Sequence, residues 1–350
     1  MPDDPKKVDL VFEGGGVKGI ALGGAYQKLA DDGWQVRHVA GTSAGAITAA
    51  LVAAGYSGDD LRDLVLQQID FGRFADGHGG LVGQTLELLH RGGLHRGAYL
   101  LDWMRDILAA KGVRRFGDLR AGNGATDAAS QYRLQVIATD LTERRLLVLP
   151  RDAGRLGIDP DELEVAEAVR MSMSIPIFFD PWVVHNAATD CDHTIVDGGV
   201  LSNFPVWLFD CPPGEPPRWP TFGLLLVAPD QRVPLVSGPA PALQGEHRLS
   251  GVRFLMAIAH TVMEAHDRLY VERAEFARTI PLPTLGVGTT QFDIDPDTKL
   301  RLFQSGYDAA TEFLRTWDFE AYKRAFRSGR AQPSRRDRLV ADIGAASARA

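Results

Sequence analysis

The chain has 350 residues, of which 45% are hydrophobic and 24% charged, with a net charge of −7. That leaves room for one large α/β domain with a substantial core. The composition is that of an ordinary globular protein, and the acidic balance sets nucleic acid aside as a partner, because neutralising many phosphates needs a basic surface.

The two cysteines, Cys191 and Cys211, are too few for a disulfide framework and lack zinc-ligand spacing, which points to unpaired thiols in a reducing compartment. The opening MPDDPKK sets its lysines against a strand and not ahead of an apolar segment with a small-residue cleavage site, so no Sec-type signal is expected. No run approaches the roughly 20 apolar residues of a membrane span. The expectation is a cytoplasmic protein that meets a membrane from its surface if it meets one at all, with export by a route lacking a Sec signal left open.

In chain order, VDLVFE (8–13) reads as a first buried strand, and Gly14-Gly15-Gly16-Val17-Lys18-Gly19 as a glycine-rich turn into a helix. VRHVAG (36–41) is a second strand, followed by Gly41-Thr42-Ser43-Ala44-Gly45 and the small-residue helix AITAALVAAG. Apolar faces of Leu61, Leu64, Val65 and Ile69, and of Leu100, Leu101, Met104 and Ile107, predict two core-facing helices. YRLQVIATDL (132–141), HTIVDGG (193–199) and TFGLLLVAP (221–229) are later strands. Two helices, over 252–276 and 298–317, form the C-terminal third. Gly- and Pro-rich stretches at 72–97, 121–130, 212–220 and 234–245 read as loops or lids. Strands alternating with helices predict an α/β fold with a largely parallel central sheet and helices on both faces. Residues 1–320 are expected to form a single domain. Lys323, Arg324, Arg327, Arg330, Arg335, Arg336 and Arg338 make 321–350 a basic helix or solvated tail, with contact to an anionic surface as the alternative.

The first turn raises a question of ligand. Gly14, Gly16 and Gly19 satisfy G-x-G-x-x-G, the phosphate cradle of dinucleotide-binding folds. That fingerprint needs an acidic residue near the end of the second strand to bind the ribose. Here the strand ends RHVAGTSAG, and Asp31 and Asp32 come too early. What stands there instead is G-x-S-x-G between a strand and a helix, the pattern of a nucleophile elbow, with Ser43 at a helix N-terminus where a developing negative charge is favoured. A serine capping a helix in a tight turn is the plainer alternative. For a base, His185 and His193 are the nearest to plausible among the histidines, and neither follows a strand in a recognisable motif. Asp197 is the better candidate: it ends an apolar strand, and Gly198 and Gly199 let the backbone pass close to another element. TDCDH (189–193) reads as a polar turn and not a metal site.

Taken in order, GGGVKG (14–19), GTSAG (41–45) and Asp197-Gly198-Gly199, with ATDLTERR (138–145) and MSMSIPIFFDP (171–181) between them, resemble the patatin-like phospholipase family over roughly residues 8–316. The resemblance implies a three-layer sandwich related to the α/β-hydrolases and a lipid acyl hydrolase working through a Ser–Asp dyad, Ser43 and Asp197, without histidine. It implies an oxyanion hole from the N–H groups of Gly15 and Gly16, with Ala44 as a further donor, and a membrane phospholipid or other acyl-ester lipid as substrate. No cofactor and no metal enters that scheme. The family commonly has arginine where this chain has Lys18, which keeps the charge but lacks the planar fork; Lys18 is expected to brace the loop or meet an anionic head group. The run Met171, Met173, Ile175, Ile177, Phe178 and Phe179 lines an acyl channel or belongs to the core. A catalytically silent lipid-binding or scaffold protein, and a Rossmann-type nucleotide enzyme, are the competing readings.

Overall fold

The computed structural model describes residues 6–68, 93–122, 130–211, 215–228, 261, 273–289, 291 and 293–327. Ten strands are found among them: β1 (Lys7–Phe12), β2 (Gln35–Thr42), β3 (Gly93–His95), β4 (Leu134–Asp140), β5 (Arg145–Leu149), β6 (Ile177–Phe179), β7 (Trp182–Asn186), β8 (Cys191–Asp197), β9 (Thr221–Val227) and β10 (Thr279–Pro283). The central sheet has the order β10-β9-β1-β2-β4-β8-β7, with β5 also paired to β4, and β3 and β6 form a separate two-stranded ribbon.

From β10 to β4 the sheet is parallel, as expected. Beyond β4 it is not: β8 runs antiparallel to β4, and β7 antiparallel to β8. The reason is local. Only the short turn between Asn186 and Cys191 joins β7 to β8, and a parallel pair needs a crossover of a dozen residues or more. The sheet is therefore mixed.

The helices are α1 (Ile20–Asp31), α2 (Ala44–Ala53), α3 (Gly58–Asp63), α4 (Ala98–Ala109), α5 (Val165–Ser172), α6 (Arg273–Phe276), α7 (Pro296–Thr316) and α8 (Phe319–Phe326). Alternation along the strands divides them between two layers. Val8, Leu10 and Phe12 of β1 and Leu134, Val136 and Ala138 of β4 join the larger core beneath α1, α2, α4 and α5. Val11, Ala40 and Ile137 face the other way, onto Phe204, Val206 and Leu208 around the 3₁₀ helix Val206–Phe209. The result is the expected three-layer α/β arrangement with helical segments on both faces of the sheet.

Every residue of α2 but Ile47 is buried, which is why its sequence is almost all alanine and other small residues: it packs directly on β1, β2 and β4. Asp295 caps α7 through the Thr298 N–H at 2.8 Å, with Pro296 at its first position. The helix predicted from Leu61, Leu64, Val65 and Ile69 begins as α3 and continues into a π turn at Leu64–Gln68. Ile69 lies outside the described residues, as do nearly all of the helix read over 252–276, most of the Gly- and Pro-rich stretches and residues 328–350. Among the described residues, no helix is long and apolar enough to cross a membrane.

Helices α1 and α7 meet with their backbones in direct approach. A methyl group on Gly24 would strike the Phe303 carbonyl, and one on Gly306 the Ala21 carbonyl. Alanine at an ordinary helical position gains about 1 kcal/mol over glycine, whereas overpacking costs about 1–3 kcal/mol and more where backbone must move. Gly306→Ala is therefore expected to lower stability by about 2 kcal/mol in a urea titration, against the sign that helix propensity alone gives.

Candidate active site

Strand β2 ends at Thr42, and α2 begins at Ala44. Ser43 between them has φ 54° and ψ −128°, a region L side chains rarely occupy and one that costs about 1–3 kcal/mol. The turn is so sharp that a methyl on Gly41 would strike the Gly45 carbonyl, and one on Gly45 the Phe12 carbonyl. Both glycines of the G-x-S-x-G pattern are thus demanded by close approach of backbone. Ser43 is 1% exposed. Its N–H donates to Ser172 Oγ at 2.8 Å, and its hydroxyl lies 3.4 Å from Met173 Sδ.

Asp197 is brought to the same place by the sheet. Strand β4 pairs with β2 along Leu134–Ile137, ending at Thr42, and with β8 along Ala138–Asp140, beginning at Asp197. The two strand ends that carry Ser43 and Asp197 therefore meet at consecutive residues of β4. Gly198 permits this, since a methyl there would strike the Ile137 carbonyl. The Asp197 N–H donates to the Ser174 carbonyl at 2.9 Å, and Asp197 Oδ1 accepts the Gly199 N–H at 2.8 Å. Oδ2 has no hydrogen bond of ordinary geometry among the described residues. The side chain is completely buried, and burial pushes its pKa up to about 7, against the opposing pull of the Gly199 N–H and the Ser43 hydroxyl. A carboxyl group of that pKa exchanges its proton near neutrality.

The glycine turn closes the third side. Gly14 lies against the Ser43 side chain, and Gly19 against the Ala44 methyl. Asn203 fixes the turn twice, accepting the Gly14 N–H on its backbone carbonyl at 3.1 Å and donating Nδ2 to the Gly14 carbonyl at 3.0 Å. Gly16 has φ +56°, and beside it the Val17 N–H donates to the Thr289 carbonyl at 3.1 Å. Among the described residues the N–H groups of Gly15, Gly16 and Ala44 take no hydrogen bond to protein. Lys18 is half-buried in the 3₁₀ helix Gly16–Gly19 that follows, its own N–H donating to the Gly15 carbonyl at 3.2 Å.

The two histidines considered from sequence are used elsewhere. His193 Nδ1 lies 2.7 Å from Asp140 Oδ2 in a buried pair across β4 and β8, while His185 is exposed, its Nδ1 2.8 Å from Asp192 Oδ1. Asp31 accepts the Tyr307 hydroxyl and Asp32 pairs with Lys28, so both are polar residues of a helix end. Among the described residues no three His, Cys, Asp or Glu side chains converge as metal ligands would. Of the apolar run at 171–179, Met171, Met173, Ile175, Phe178 and Phe179 belong to the core, and Met173 also touches Ser43. Ser172, Ser174 and Asn203 were not singled out from sequence. The alternation of serine and methionine in MSMS was the available signal for the first two.

The family described as patatin-like phospholipase matches residues 10–210. The chain is 38% identical to an uncharacterised protein of Bacillus subtilis, YqhO, over 89% of its own length and 99% of the relative's. It is 29% identical to a protein of the NTE family from Mycobacterium bovis over 57% of its own length, which is 27% of that longer protein. Among solved structures, VipD from Legionella pneumophila shares the fold, with a TM-score of 0.50 and 19% identity over 89% of this chain and 67% of that one.

The buried carboxyl makes a stability prediction. The unfolded chain releases the Asp197 proton near 3.8 and the folded chain near 7, so folding stability falls as pH rises between those values and levels off above them. The loss reaches at most about 4 kcal/mol, at about 1.4 kcal/mol per pH unit. Asp197→Asn removes it. Thermal unfolding should show the variant gaining on the wild type from about pH 4 to about pH 8; a constant difference across that range would place the carboxyl outside the effect.

Proposed function

The chain belongs to the patatin-like phospholipase family, which makes it a lipid acyl hydrolase in kind, and from that premise we propose that it cleaves fatty-acyl esters of membrane glycerolipids through Ser43 and Asp197. The observation that carries this reading is a completely buried aspartate with a pKa of about 7 beside a serine at a strained strand-to-helix turn.

The reaction follows from what each group can do. Ser43 Oγ attacks the ester carbonyl carbon while Asp197 takes the hydroxyl proton. In water a carboxylate of pKa near 4 is too weak a base for this; at about 7 it is matched to a neutral medium. The carbonyl oxygen becomes an oxyanion, held by the N–H groups of Gly15, Gly16 and Ala44, with the N-terminus of α2 adding its dipole. The intermediate collapses, the C–O bond to the glycerol breaks, and Asp197 returns the proton to the departing alcohol. An acyl-serine remains. Asp197 then draws a proton from water, the hydroxyl adds to the acyl carbon, and the fatty acid leaves as Ser43 recovers its proton. No step calls on histidine. Lys18, at the edge of the glycine turn, braces it or meets the anionic head group.

Mass spectrometry of phospholipid vesicles incubated with wild-type protein and with Ser43→Ala tests the activity and the residue together. Free fatty acid and lysolipid should appear with the wild type only, and a fluorophosphonate should label wild type but not the variant. Asp197→Asn should lower kcat by about 100- to 10,000-fold, the range of a lost general base; near-wild-type turnover would mean that the base lies elsewhere. Because the acid must be ionised to accept a proton, kcat/KM should fall about tenfold per pH unit below about 6 and be flat above about 8, with the bend near 7.

A further inference from the structure

The tripeptide that closes α5 and leads out of it touches both members of the pair. Ser172 Oγ accepts the Ser43 N–H at 2.8 Å and donates its own proton to the Ile137 carbonyl at 2.6 Å. Met173 Sδ lies 3.4 Å from Ser43 Oγ, and the Ser174 carbonyl accepts the Asp197 N–H at 2.9 Å. Ser172 and Ser174 are both fully buried. Ile137 is the β4 residue that pairs with Thr42, so the Ser172 hydroxyl bridges β4 to the first N–H beyond the end of β2.

The bridge meets a specific need. A serine at the N-terminal cap of a helix ordinarily turns its own oxygen back onto the helix N–H groups and so holds the turn in place. Ser43 makes no such bond. Its backbone is strained, its side chain does not cap, and its buried N–H would lack any partner without Ser172. The Ser172 hydroxyl pairs that N–H. We infer that Ser172 is a positioning residue for the nucleophile: it fixes the Ser43 backbone from outside the turn, which frees the Ser43 hydroxyl from structural duty. Ser174 does the same for the acid through its backbone, so residues 172–174 set the spacing of serine and aspartate as one piece.

This rests on Ser43 being the nucleophile, and the experiment separates the two claims. Threonine and valine side chains have the same shape, and only threonine keeps a hydroxyl, so Ser172→Thr and Ser172→Val share any overpacking and differ in the bridge alone. Ser172→Ala supplies the truncation. Steady-state hydrolysis of phospholipid vesicles and the rate of fluorophosphonate labelling are measured for all three beside the wild type. Ser172→Ala and Ser172→Val are expected to lose about ten- to hundredfold in kcat and in labelling rate, the cost of a misplaced reacting atom, with KM within about threefold of wild type. Ser172→Thr is expected to recover at least about tenfold over Ser172→Val. The inference is overturned if Ser172→Val matches Ser172→Thr, if Ser172→Ala keeps more than about half of kcat, or if the loss falls on KM. A wild type that neither hydrolyses lipid nor takes the label overturns the serine-hydrolase reading and this inference with it.

Discussion

The chemistry proposed for this molecule depends on one carboxyl group being kept out of water. Asp197 is completely buried, has one oxygen without a hydrogen bond of ordinary geometry among the described residues, and carries a pKa of about 7 in consequence. The direction of β8 makes that burial possible. In a parallel α/β sheet every strand delivers its last residue to the same rim, where the open crevice lies. Strand β8 runs the other way, entering beyond the end of β4 and finishing inside the sheet at Ala138. Its terminal aspartate therefore stops in the interior, facing the end of β2 across one residue step of β4.

Holding two strand ends head to head needs β8 fixed in register, and the second buried pair performs that task. Asp140, at the end of β4, accepts the N–H groups of Thr142 and Glu143 at 2.8 and 3.2 Å and meets His193 of β8 at 2.7 Å. A slip of one residue would turn His193 to the opposite face of the sheet and break the pair. The histidine that was a candidate base in the sequence is thus committed to the position of the aspartate, further along the same strand. This also gives a physical role to the ATD of ATDLTERR, which the resemblance marked without explaining.

The elbow was legible in the sequence because every constraint on it is local: Gly41 and Gly45 are needed by contacts within a few residues of Ser43 or with the adjacent β1. Asp197 was legible for a related reason, since Gly198 announces a close approach of backbone. Ser172, Ser174 and Asn203 were not, because each acts through contacts with residues distant in the chain; Ser172 lies 129 positions from Ser43, and a buried serine looks like any other in sequence. The five strands read from sequence became β1, β2, β4, β8 and β9. Those missed are short or irregular: β3 and β6 have three residues each, β7 is only partly buried, and β10 contains Pro281 and Pro283, which sheets tolerate at an edge. The antiparallel course of β8 was hidden because direction is set by connection length, and the turn at 187–190 carries no strong punctuation.

The glycine turn satisfies a phosphate-cradle pattern, and the charge in the site decides what such a turn can hold. A resident pyrophosphate would bring its charge to within reach of Asp197 and would have to lie where Gly14 packs on Ser43 and Gly19 on Ala44. In a buried site two like charges that close are mutually destabilising. An oxyanion formed at Ser43 avoids the conflict, because in the proposed reaction it arises as the serine proton passes to Asp197. The negative charge moves from the carboxylate to the oxyanion, and the site carries one charge before and after the transfer. Unbonded N–H groups at Gly15, Gly16 and Ala44 suit that arrangement: in the proposed reaction the three donors stabilise a single transient charge.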